Sequence, residues 1–133
     1  MTKKTISIFG STGSVGTTTL NILRENKEKF DVKVLTAHKN IDDLALFANE
    51  FNPDAICFDD EFDLEQVKSK INCDKIECYI GEEGLLECAK VNVDIVIAGI
   101  VGLAGLPPLL ESIRSSKKVC IANKECFVSA GSL

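Results

Sequence analysis

The sequence predicts an α/β fold, a doubly wound parallel sheet with helices on both faces. Three observations predict it. Short runs rich in Val, Ile and Phe alternate with stretches of helical periodicity along nearly the whole chain. A glycine-rich turn, Gly10-Ser11-Thr12-Gly13-Ser14-Val15-Gly16, directly follows the first apolar run. The length, 133 residues of which 45% are hydrophobic, suits one domain that buries about two thirds of its unfolded surface. No repeat, linker or low-complexity segment divides it, so residues 1–133 form a single domain.

The elements follow in order. Thr5-Ile6-Ser7-Ile8-Phe9 is the first strand, and the glycine turn leads into a helix from Ser14 to Asn26. Asp31 to Ala37 is the second strand. Asn40 caps a helix whose apolar positions are Ile41, Leu44, Ala45, Phe47, Ala48 and Phe51, and Pro53 ends it. Ala55-Ile56-Cys57-Phe58 is a short strand. The acidic stretch from Asp59 to Glu65 opens a helix running to about Ile71, with Asp63 as its cap. Ile76 to Ile80 is a strand, Glu82 to Lys90 a helix, and Val93 to Ala98 a buried strand. Leu106 to Ser115 is a helix opened by prolines, and Lys118 to Ala122 is the last strand. Parallel strands joined by right-handed helical crossovers satisfy this alternation.

A strand, a glycine turn and a helix in succession leave backbone N–H groups unpaired beside the positive end of a helix dipole. That combination suits a pyrophosphate. Gly10 allows the tight turn, Gly13 lets the backbone approach the phosphates, and Gly16 lets the helix pack on the strand. The spacing G-x-x-G-x-x-G departs from the commoner G-x-G-x-x-G, and a merely structural loop is the competing reading. The favoured reading is a Rossmann-like dinucleotide-binding domain.

In such a domain the end of the second strand meets the adenine ribose. A carboxylate there selects NAD, whereas cations and hydroxyls accommodate the 2′-phosphate of NADP. Here the strand ends Thr36-Ala37-His38-Lys39-Asn40, with no carboxylate. Lys39 supplies charge and Thr36 or Asn40 a hydrogen bond, which favours NADP over NAD. The alternative is a polar turn with a capping Asn. A second glycine turn, Ala98 to Gly105, lies where ligands sit in open α/β sheets, and a purely structural turn explains it equally well. The last strand delivers Asn123, Lys124 and Glu125 to the same edge, where they orient a cofactor and an anionic substrate, start a helix, or do both.

The bulk composition excludes several function classes. A net charge of −5 argues against a nucleic-acid or anionic-membrane surface. The six cysteines (57, 73, 78, 88, 120 and 126) include no C-x-x-C, and the single histidine, His38, leaves no Cys–His zinc set. They read as reduced core residues, with Cys126 notable for lying beside the Asn123–Glu125 segment. The longest apolar stretch, Ile95 to Leu110, is broken by glycines and prolines and is no membrane span. No signal or transit peptide is visible. The expectation is a soluble, cytoplasmic protein.

Four motifs stand together in order: Gly-Ser-Thr-Gly-Ser-Val-Gly at 10–16, His-Lys-Asn at 38–40, Ala-Gly-Ile-Val-Gly-Leu-Ala-Gly at 98–105 and Ala-Asn-Lys-Glu at 122–125. This set resembles the amino-terminal domain of the 1-deoxy-D-xylulose 5-phosphate reductoisomerases, NADPH-dependent enzymes of the non-mevalonate isoprenoid pathway. The resemblance implies that Thr12, Gly13, Ser14 and Val15 line the NADPH phosphates, with Lys39 and Asn40 near the adenosine. It implies that Asn123 and Glu125 touch the cofactor and that Lys124 contacts the phosphosugar substrate. Gly10 and His38 complete the candidate cofactor set; His38 departs from the glycine common in the family.

The resemblance further implies that the metal carboxylates, an Asp-x-Glu pair and another Glu, lie beyond Leu133. With them lie the divalent cation (Mg or Mn), the substrate-phosphate residues and the homodimer contacts of the full-length enzyme. The upstream pairs Asp59-Asp60-Glu61 and Asp63-Leu64-Glu65 read as solvated charge. The chain, whose end at Leu133 interrupts an apolar segment, is expected to be the front of a longer protein. Alone it is expected to bind NADPH without turnover, and no catalytic or metal residue is assigned within it. Two alternatives remain: the NADP-binding domain of a semialdehyde or homoserine dehydrogenase, and a non-catalytic nucleotide-sensing module.

Overall fold

β1 (Lys4–Phe9) is buried along its last four residues, Ile6 to Phe9, on both faces, as only a central strand can be. The computed structural model of the chain describes residues 3–99 and 118–121. On one side β1 pairs in parallel with β2 (Phe30–Thr36), and on the other with β5 (Ile95–Ala98). β3 (Ala55–Phe58) and β4 (Glu77–Ile80) continue outward from β2, and β6 (Lys118–Ile121) continues outward from β5. The described sheet is therefore six-stranded and parallel, in the order β4-β3-β2-β1-β5-β6. The chain moves away from β1 as far as β4, then returns to its other side. This reversal makes the gap between β1 and β5 the switch point of the sheet, a doubly wound Rossmann-like arrangement.

The connections explain which helix covers which face. α1 (Ser14–Arg24), α2 (Ile41–Phe51) and α3 (Leu64–Lys70) link strands progressing in one direction. They bury Leu20, Leu23, Ile41, Leu44, Ala48 and Val67 in one core with Ile6, Ile8, Leu35 and Phe58. α4 (Gly81–Ala89) carries the chain back from β4. It seals the opposite face, where Cys88 and Ala89 meet Phe9, Val34, Cys57 and Val96. Each fully buried Leu, Ile or Phe contributes about 1.5–3 kcal/mol, so both layers are needed.

Strand β2 carries an irregularity that its alternation alone does not announce. Ile6 pairs with Val32 but Ser7 pairs with Val34, so Lys33 is an extra residue. The bulge lets Val32 and Leu35, three apart, share one face, while Val34 joins the other. Lys33 turns to Asp31 and Asp54 at 3.0 and 3.6 Å, and its hydrogen bond to Asp31 raises its pKa.

Among the described residues the expected elements are present with small shifts of boundary: α1 stops at Arg24 rather than Asn26, and β5 starts at Ile95 rather than Val93. Asn40 caps α2, its Oδ1 accepting from the Asp43 N–H at 3.2 Å. Asn52 then closes α2 in the left-handed region at φ 48°, ahead of Pro53. The cap expected of Asp63 differs. Its side chain makes no cap bond to α3; instead Asp60 accepts from the Phe62 N–H at 3.0 Å and opens a 3₁₀ turn, Glu61–Asp63, ahead of the helix. α1 and α2 are tied by Arg24, which pairs with Glu50 and lies over the rings of Phe47 and Phe51 at 5.8 and 5.7 Å. The hydrogen bond from Arg24 holds the Glu50 carboxyl below its usual range.

Cys57 and Cys88 are buried free thiols, and Cys73 and Cys78 are half-buried free thiols. The Cys57 contact and burial push the Cys88 thiol up, and both thiols pack as core residues. Among the described residues no group of three metal-ligating side chains gathers, and no helix is long and apolar enough to cross a membrane. The helix expected over 106–115, most of the second glycine turn, and Asn123, Lys124, Glu125 and Cys126 lie outside the described residues.

Candidate functional site

The three loop glycines have different reasons to be glycine. Gly10 takes φ 80°, a conformation that strains any residue with a Cβ. At Gly16 a Cβ would fall 2.3 Å from the Gly10 carbonyl oxygen and 2.5 Å from Ser11 Cα, so the first turn of α1 packs directly on the loop. Gly13 has room: its Cβ would meet only the Gly10 oxygen, at 3.5 Å. It is exposed and its side chain position opens into the cleft described below.

The loop is fastened to the end of β2 rather than to its own strand. The Gly10 N–H donates to Thr36 Oγ1 at 2.9 Å, and both the N–H and the hydroxyl of Ser11 donate to the Thr36 carbonyl, at 2.7 and 2.8 Å. Thr36 is buried, and its hydroxyl is thus an anchor for the loop. That hydroxyl accepts from Gly10 with its own proton still available to donate, and Thr36 lines the cleft described below. Among the described residues the N–H groups of Thr12, Ser14, Val15 and Gly16 have no protein acceptor, and α1 has neither a side-chain cap nor an acidic residue in its first turn. Donors without a protein acceptor thus lie along the loop and first turn of α1, at the positive end of the helix dipole, a place that suits phosphate.

That place is one end of a cleft of about 400 Å³ at the carboxyl ends of β1, β2, β3 and β5. Gly10, Thr12 and Gly13 line it at the loop. Ser14 and Val15, in the first turn of α1, stand outside the cleft lining. Leu85 of α4 provides an apolar wall. Gly99 closes the side next to β5. Its N–H donates to the Phe9 carbonyl at 2.8 Å, and a Cβ there would come within 3.1 Å of that oxygen.

His38, Lys39 and Asn40 line the far end. Asn40 is committed to α2: its Oδ1 holds the cap and its Nδ2 donates to Asp43 Oδ2 at 2.9 Å. Among the described residues Lys39 makes no ion pair, so its ammonium is available at the exposed rim. His38 is not a lone side chain. Its Nδ1 lies 3.0 and 3.1 Å from the two oxygens of Asp59. Asp59 is exposed, as are Asp60 and Glu61, in keeping with their reading as solvated charge, but it also lines the cleft. Sequence reasoning missed Asp59 because it follows β3, not β2. The signal was available in the parallel strand order, which sets the ends of neighbouring strands side by side.

A family model described as 1-deoxy-D-xylulose 5-phosphate reductoisomerase matches residues 6–131. A curated relative of that name from Thermoanaerobacter sp. is 36% identical over 130 residues, covering 98% of this chain and 34% of its own length. Among solved structures, 1-deoxy-D-xylulose 5-phosphate reductoisomerase from Zymomonas mobilis in complex with NADPH superposes with a TM-score of 0.91 at 35% identity, covering 98% of this chain and 35% of that one. A DOX-P reductoisomerase in complex with NADPH, fosmidomycin and magnesium gives a TM-score of 0.86 at 36% identity, with 98% of this chain and 32% of that one covered. The chain spans about a third of the length of the curated relatives it matches. A glycine loop with unpaired N–H donors at the switch point of a parallel sheet, matched by sequence and by structure over nearly all its residues, places the chain in the 1-deoxy-D-xylulose 5-phosphate reductoisomerase family.

Proposed function

We propose that this chain is the NADPH-binding domain of a reductoisomerase that converts 1-deoxy-D-xylulose 5-phosphate to 2-C-methyl-D-erythritol 4-phosphate. The observation that carries the proposal is the cleft itself, with unpaired backbone N–H donors at one end and the Lys39 ammonium at the other. The donor set fits a dinucleotide. The N–H groups of Thr12, Ser14, Val15 and Gly16 hold the pyrophosphate, and the small surface of Gly13 lets it approach the backbone. Lys39 meets the 2′-phosphate as a point charge. Bound there, the cofactor supplies the hydride for reduction of the rearranged substrate.

Within this reading Asn123 and Glu125 contact the cofactor and Lys124 the phosphosugar. The divalent cation and its carboxylates belong to parts of the protein that the matched relatives have and this chain does not span. The working enzyme is a cytoplasmic homodimer. The chain alone binds cofactor and does not turn over. A pair of calorimetric titrations, with NADPH and with NADH, tests the proposal. NADPH binding tighter than NADH by at least about tenfold, the effect of one well-placed phosphate contact, supports it. Equal affinities overturn the role of Lys39, and binding of neither overturns the reading of the cleft.

A further inference from the structure

The far end of the cleft holds a carboxylate where a 2′-phosphate would be worst served by one. Asp59 follows β3, the strand hydrogen-bonded to β2, and its N–H donates to the His38 carbonyl at 3.2 Å. Its side chain lines the cleft together with His38 and Lys39. A bare carboxylate there does two things. It repels a phosphate, and it accepts a hydrogen bond from an unmodified ribose 2′-hydroxyl, which is how acidic residues select NAD. Lys39 brings only a single opposing charge.

The geometry answers this with His38. A carboxylate only accepts hydrogen bonds, so the Nδ1 between its oxygens, at 3.0 and 3.1 Å, is the donor. The imidazole contacts both Asp59 oxygens and covers them on its own side. No other residue among those described bonds the Asp59 side chain. The two side chains retain 64% and 40% of their exposure, so the pair is a surface device at the rim and not a piece of the core.

We propose that His38 masks Asp59, and that this pair sets the choice between a phosphorylated and an unphosphorylated adenosine ribose. Masked, the carboxylate tolerates the 2′-phosphate that Lys39 attracts. Unmasked, it favours the 2′-hydroxyl. Asp59 is the specificity-determining residue, and His38 is a positioning residue that acts through it. The inference rests on the reading of the cleft as a dinucleotide site.

The test measures NADPH and NADH affinities for the intact chain and for His38→Ala, Asp59→Asn and the double variant. His38→Ala lowers the NADPH-to-NADH affinity ratio about fivefold, the scale of one solvent-exposed charge interaction. Asp59→Asn raises the ratio by a similar factor. In the Asp59→Asn background, His38→Ala changes nothing, because its only effect is on the carboxylate. Equal losses from His38→Ala in both backgrounds overturn the proposal and make His38 a direct phosphate ligand. A ratio unmoved in every variant, with both dinucleotides still bound, overturns the pair's role and leaves the cleft reading intact. If the unmodified chain binds neither dinucleotide, the cleft reading fails and the pair's role fails with it. Both side chains are exposed, and circular dichroism verifies that each variant is folded.

Discussion

The two ends of the cleft are made of different material. The loop end presents main-chain N–H groups held by a backbone path that Gly10 and Gly16 permit, with no charged side chain in it. The far end presents side chains from two neighbouring strand ends: His38 and Lys39 after β2, and Asp59 after β3. A site made of backbone recognises what all pyrophosphates share and is changed only by altering the path of the chain. A site made of side chains recognises a peripheral group, and single substitutions retune it. Affinity on this reading resides at the first end and discrimination at the second.

The largest effect is expected where both ends are lost together. Gly16→Ala drives a methyl to within 2.3 Å of the Gly10 oxygen, a backbone atom that has no rotamer to escape by. The cost is about 3 kcal/mol, read as a lower midpoint in urea unfolding, with cofactor binding lost in parallel. A variant of unchanged stability would show that α1 does not pack on the loop. Thr36→Val comes next. It keeps the shape of a buried residue but leaves the Gly10 N–H without its acceptor, at about 2 kcal/mol. Its stability loss should be accompanied by weaker binding, because the loop loses its attachment to β2.

Two milder substitutions separate the ends. Gly13→Val has space for its Cβ and a backbone at φ −80° that valine accepts, so the domain stays folded. The branched side chain occupies the approach of the phosphates, and NADPH and NADH affinities should both fall at least tenfold, about 1.4 kcal/mol, with their ratio unchanged. Unaltered affinity in the folded variant would reduce the loop to a structural turn. Lys39→Asp gives the smallest effect and the opposite pattern. NADPH weakens about fivefold while NADH holds, so the ratio moves and the loop end does not. A variant that keeps its full preference would remove Lys39 from the 2′-phosphate.

The loop end was legible in the sequence because everything that builds it is local. Strand, turn and helix are consecutive, and the glycine positions report backbone requirements directly. The strand–helix alternation was legible for the same reason, since Leu20, Leu23, Leu44 and Val67 mark buried stripes by period alone. What escaped was set by neighbours distant in the chain. Thr36 looks like a free hydroxyl at a strand end until β1 delivers Gly10 beside it, 26 residues away. Asp59 looks like one more acid in an acidic run until β3 docks against β2 and sets it on His38, 21 residues earlier. The extra residue at Lys33 escaped too, because a bulge is a property of two strands in register and not of one.

At the opposite edge of the sheet, Thr5 and Asp94 clasp the starts of β1 and β5. The Thr5 N–H donates to Asp94 Oδ2 at 3.0 Å, and the Asp94 N–H donates to Thr5 Oγ1 at 2.9 Å. These partners are 89 residues apart. During synthesis on the ribosome, β1 precedes every other described strand and is among the last of them to be flanked on both sides. Until Ile95–Ala98 emerges, the apolar Ile6-Ser7-Ile8-Phe9 run is an open margin able to pair with another nascent chain. The strand at the heart of the finished domain is therefore left with one open margin for most of the time the domain is being made.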